Sequence, residues 1–150
     1  MSVTCDAKVR MHYDSGTGER GFQIKMNNKT GGATVKGTLV SASSSTSNAF
    51  IAQSSGYDTF GIVYEAGIND GSEAWIWVTG SVAEVLWKDN TASTMGNVAL
   101  GDDTDGRAYD VAVPSGNPVV AEHFREIGHV LETQANNLTD SLVLVHLHFN

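Results

Sequence analysis

Apolar and polar residues alternate along most of this chain. Ala7, Val9, Met11 and Tyr13 interleave with Lys8, Arg10 and His12, which reads as a strand with one wet face. Phe22, Ile24 and Met26 interleave with Gln23, Lys25 and Asn27, a second strand. Further strands are expected over 34–41, 48–53, 62–65, 75–78, 82–87, 96–100, 107–113, 125–133 and 141–149. No stretch holds a 3.6-residue period over the roughly 10–12 residues that a helix assignment needs. Residues 119–124 have room for one helical turn. Strands recurring about every 8–12 residues between polar, glycine-rich turns predict an all-β sandwich or barrel. No linker divides it into two compact domains, and the first ~30 residues are expected as an arm or extra hairpin beside the body.

The stretch 61–80 organises this pattern. Asn69-Asp70-Gly71 is a turn signal between the apolar run Ile62–Glu65 and the aromatic, β-branched run Trp75-Ile76-Trp77-Val78. The same arrangement recurs. Gly128-His129-Val130-Leu131-Glu132 aligns with Gly61-Ile62-Val63-Tyr64-Glu65, and Asp140–Val145 aligns with Glu73–Val78 at the same offset. A weaker echo relates Lys36-Gly37 to Met95-Gly96. Matches this short are compatible with internal duplication and with chance.

The chain has 150 residues and a net charge of −8, which disfavours binding to nucleic acid or to anionic membranes. The single cysteine, Cys5, allows no internal disulfide. No secretory signal and no apolar run of about 20 residues is present, so synthesis in a cytosol without membrane insertion is expected.

Motifs that would carry chemistry are incomplete. Gly16–Gly21 matches G-x-G-x-x-G, but a strand follows it where a phosphate site needs a helix, so it reads as a hairpin loop. The acidic loop 102–106 fails the EF-hand pattern at both ends and reads as a solvated turn. His146 and His148 are two apart on one strand face, where a third ligand would be required for a metal. Structural histidines are the simpler reading, and no metal, cofactor or catalytic residue is assigned. Trp75 and Trp77 share a strand face, which suits a core or a subunit contact better than a sugar-stacking platform.

Several segments together resemble tailed-bacteriophage capsid decoration, cement or capsid fibre proteins. They are Lys36-Gly37-Thr38-Leu39-Val40, Gly61–Gly67, Gly71–Val78, Met95-Gly96-Asn97, Gly106-Arg107-Ala108, Glu122–Glu132 and the closing His146-Leu147-His148-Phe149-Asn150. The resemblance covers residues 35–150 and leaves 1–34 outside. It implies a β-sandwich or β-tulip-like body on the outer surface of an assembled phage head. The implied partners are the major capsid protein and the chain itself, as a homotrimer at local three-fold positions. Neither nucleic acid nor membrane is implied, and no enzyme activity.

Six of the nine basic residues, Lys8, Arg10, Arg20, Lys25, Lys29 and Lys36, fall in the first 36 positions. Lys8, Arg10, Arg20 and Lys25 are therefore expected to meet an acidic capsid surface, with Trp75, Trp77, His146 and His148 as further contact residues. The alternative function is a fibre-like virion module that recognises host glycans through Trp or Tyr faces. A glycan-active enzyme is the remote third.

Overall fold

The computed structural model describes residues 7–117 and 119–150. Cys5 and Pro118 lie outside the described residues. Short alternating runs give short strands: β1 (Val9–Tyr13), β2 (Arg20–Asn28), β3 (Leu39–Ala42), β4 (Ala49–Ala52), β5 (Gly61–Val63), β6 (Glu73–Trp77), β7 (Val82–Trp87), β8 (Val98–Gly101), β9 (Ala108–Val111), β10 (Glu126–Val130) and β11 (Ser141–Leu147). Asn48 and Asn90, at φ of 51° and 56°, mark a strand entry and exit in the left-handed region that asparagine tolerates. One helical turn, α1 (Val120–His123), lies between β9 and β10. Among the described residues no helix is long and apolar enough to cross a membrane. The expected all-β, sandwich- or barrel-like single domain is what the chain forms.

The strand pairing repeats. β2 pairs parallel with β4, β4 antiparallel with β3, β3 with β5, β5 with β6, and β6 returns to β2. Five strands later the same circuit recurs: β7 pairs parallel with β9, then β9 with β8, β8 with β10, β10 with β11, and β11 returns to β7. Each circuit closes on itself, which gives every strand in it a partner on both sides along at least part of its length. A single antiparallel contact, Arg20 with Val82, links the two rings. The sequence echo between 61–78 and 128–145 is therefore an echo of topology. Only β1, paired with β2, stands outside both rings. Of the N-terminal stretch 1–34, β1 and β2 form a hairpin, and β2 is also a strand of the first ring.

Each ring has its own apolar interior. Val40, Phe50, Val63, Ala74 and Ile76 form the first, with Ile24 and Met26 of β2 packed against them. Ala83, Val85, Trp87, Ala99, Ile127, Val130, Val143, Val145 and Leu147 dominate the second. Leu39, Ile62 and Trp77 belong to first-ring strands yet join the second cluster, so they weld the rings together. Period-two alternation explains this: Ala74 and Ile76 turn into the first ring while Trp77 leaves through the opposite face. At the junction Gly37 accepts a 2.8 Å bond from the Leu86 amide and donates one of 2.9 Å to the Val63 carbonyl. A Cβ there would meet the Leu86 nitrogen at 2.6 Å, and φ is +81°, so only glycine fits.

A buried carboxylate closes the junction. Glu19 is fully buried in the hairpin loop before β2. One of its oxygens accepts from Trp77 Nε1 and from the Glu84 amide, both at 3.0 Å. The other accepts from Lys36 Nζ at 2.7 Å and Thr17 Oγ1 at 3.0 Å. Lys36 also pairs with Glu84 at 2.7 Å. Burial pulls the Lys36 pKa down, but its bonds to the two carboxylates outweigh that and raise it above the ordinary lysine value. Removing one partner of such a network leaves the others buried and unpaired. Glu19→Ala is expected to lower stability by about 3–5 kcal/mol in urea denaturation of the full chain. An unchanged midpoint would remove Glu19 from this role.

Candidate functional site

β2 is long enough to leave its ring. One edge pairs with β6 over 23–27. Its other edge pairs with β1 over 20–24 and with β4 only at 27–28. The β1–β2 hairpin therefore projects past the end of the first ring. Its two faces follow from the register: Lys8, Arg10 and His12 lie on the side of Gln23, Trp75 and Trp77, and Val9, Met11 and Tyr13 lie on the side of Phe22 and Ile24.

The polar face turns inward, which reverses the dry and wet faces expected for β1. The Arg10 guanidinium carbon sits 4.1 Å from the Trp75 ring centroid, and Nε donates to Gln23 Oε1 at 2.7 Å. His12 Nε2 lies 2.9 Å from the Tyr64 hydroxyl, and its ring is 5.9 Å from that of Trp77. Tyr64 in turn donates to Asp14 Oδ2 at 3.2 Å. Backbone bonding from Gly16 and this hydroxyl hold the Asp14 pKa below its usual value. Lys8 and Lys25 both pair with Glu73. The cause is the aromatic surface of Trp75, Trp77 and Tyr64, which attracts cations and covers the hydrocarbon stems of long side chains.

The apolar face of the hairpin is left in solvent. Val9 is 62% exposed, Met11 76%, Tyr13 64% and Phe22 47%. A second exposed apolar group, Val113, Val119, Val120 and Phe124, surrounds α1. Contiguous exposed apolar side chains of this kind mark surfaces that associate.

The residues singled out in the sequence separate into distinct places. Lys8, Arg10 and Lys25 are engaged with their own chain, and Arg20 Nη1 donates to the Gly18 carbonyl at 2.8 Å. Trp77 and Trp87 are fully buried, and Trp75 lies under Arg10 with Lys25 Nζ 5.4 Å away. The sequence pairs His146 with His148, whereas the fold brings His148 Nε2 to 2.7 Å from His129 Nδ1. His146 lines an open groove with Met11, Arg20 and Leu131. Glu126 completes the histidine group, with Oε1 3.4 Å from His148 Nε2. Burial pulls the His148 pKa below the usual histidine value, against the pull of Glu126 and with help from His129 and His146. The inward turn of Arg10 has no signal in the alternation itself, while Phe22 and Met11 are visible there as apolar positions.

In comparisons with known proteins, no family model and no curated protein matches the chain. The inverted hairpin makes a ranking of stabilities. Arg10→Ala is expected to lower stability by about 1 kcal/mol, through the lost ring contact and the partly buried hydrogen bond to Gln23. Met11→Ser should stay within about 0.5 kcal/mol of wild type, as an exposed position does. Urea midpoints of the two variants check the order, and the opposite order would contradict this orientation.

Proposed function

We propose that this protein is a phage-head decoration protein, a binding module without enzymatic activity that docks on the outside of an assembled shell and ties major capsid protein subunits together. One observation carries the reading: a two-stranded hairpin that projects beyond its ring and presents Val9, Met11, Tyr13 and Phe22 to solvent. The resemblance over residues 35–150 suggests the assembly, and the hairpin, outside that span, is the surface we assign to the contact. The contact is therefore apolar where a basic one was expected, because Arg10 is turned onto Trp75, Lys8 and Lys25 onto Glu73, and Arg20 onto the Gly18 carbonyl. Homotrimers at local three-fold positions, and many weak contacts summed over a lattice, are part of the same reading.

The glycan-binding alternative finds less support. A sugar platform needs open ring faces; Trp77 and Trp87 have none, and Tyr13 is the exposed tyrosine that remains to it. Trp75 already carries Arg10 on its ring.

Co-sedimentation with matching heads that lack the protein tests the proposal. Wild type is expected to saturate at a copy number fixed by the lattice. The double variant Met11→Asp, Phe22→Asp should fold with wild-type circular dichroism and lose shell binding. Equal binding by that variant would place the contact elsewhere. No binding of wild type to mature heads would discard decoration altogether.

A further inference from the structure

Glu126, His129 and His148 offer one ligand atom each, all within 4.8 Å of one another. Glu126 and His129 are three apart on β10, a spacing that puts side chains on opposite faces of a regular strand. A β-bulge corrects it: Glu126 pairs with Leu100 and Gly128 with Ala99, with a register shift between them. The extra residue brings Glu126 and His129 to the same side. Gly128 permits this geometry. Its φ is +154°, and a Cβ there would lie 2.0 Å from the His146 carbonyl oxygen. His148 is anchored just beyond β11 by its amide, which donates to the Ile127 carbonyl at 3.0 Å. Asn150 Nδ2 holds the other Glu126 oxygen at 3.1 Å, and His123 Nδ1 of α1 lies 3.7 Å from that oxygen.

We propose that Glu126, His129 and His148 bind a divalent transition metal of the zinc class. Two imidazoles and one carboxylate are the donor set that such ions take, with further positions open to water or to a donor from a neighbouring molecule. Calcium and magnesium prefer all-oxygen sites and are excluded by the same chemistry. His129 Nδ1 and His148 Nε2 face each other across 2.7 Å, so one shared proton joins them when no metal is bound. A metal replaces that proton. Bonds of about 2.0–2.1 Å at a tetrahedral angle need the two nitrogens about 3.3 Å apart. The pair must open by about half an ångström, a movement within reach of His148 because it lies outside the strand ladder. The Asn150 bond orients the carboxylate, as partners of metal ligands do.

Titration calorimetry of the full chain, stripped with chelator, is the test. Zinc chloride should bind one ion per chain, and calcium or magnesium chloride should give no heat. The double variant His129→Ala, His148→Ala should bind zinc about ten-fold or more weakly, while His146→Ala keeps wild-type affinity. A measurement on the unmutated chain guards against variants that fail to fold. On adding zinc, the ring nitrogen signals of His129 and His148 should shift and those of His12 should not. Absence of zinc binding by wild type, undiminished binding by the double variant, or ring shifts confined to other histidines would each overturn the assignment.

Discussion

The interaction on which the rest depends is the burial of Glu19. A carboxylate removed from water must be surrounded by donors, and here the donors come from separate parts of the molecule. Trp77 belongs to the first ring, the Glu84 amide to the second, and Lys36 to the segment leading into β3. Satisfying one charge thus fixes the position of both rings. Apolar packing of Leu39, Ile62 and Trp77 supplies the bulk attraction at the same place but tolerates sliding. The carboxylate does not, because each donor must meet an oxygen at hydrogen-bond distance. Holding Glu19 also fixes the hairpin loop, and with it the direction in which β1 and β2 leave the body.

The two rings share a topology and diverge in detail. Ile62 pairs with Trp77 in the first, while His129 pairs with His146 in the second, so the second hairpin encloses a longer excursion. That difference moves β11 along β10 relative to the first copy and sets His148 next to His129. One copy thereby acquires a histidine and carboxylate group with no counterpart in the other. The first copy alone carries the extra strand β1. The repeated topology gives a stable frame, and the features that distinguish the halves lie where the two rings differ.

Much of the frame was legible in the sequence. Alternation marks β1, β2 and β11, and the repeated Gly-x-Val-x-Glu signals mark the two topologically equivalent hairpins. What could not be read is which side of an alternating strand faces inward. Val9, Met11 and Tyr13 look like a core face because apolar residues usually go inside. The outcome was decided by Trp75 and Tyr64, more than fifty positions away, whose rings take Arg10 and His12. Glu19 was equally silent, since one acid in a glycine-rich loop has no local sign of burial. The approach of His148 to Glu126 and His129 depends on a bulge and a cross-strand register, which no spacing rule encodes.

Closing both rings has a consequence for how other chains can attach. Strands with a vacant side recruit foreign strands, which is the common route to swapping and fibrils. In this molecule each of β2 to β11 has a partner strand on both sides along at least part of its length. Among the described residues, β1 is the strand with a partner on one side alone, and its outer side is open along its whole length. A partner that joins by extending the sheet over a full strand length therefore has its open margin there. A display peptide added as a further strand along that margin would leave both rings closed.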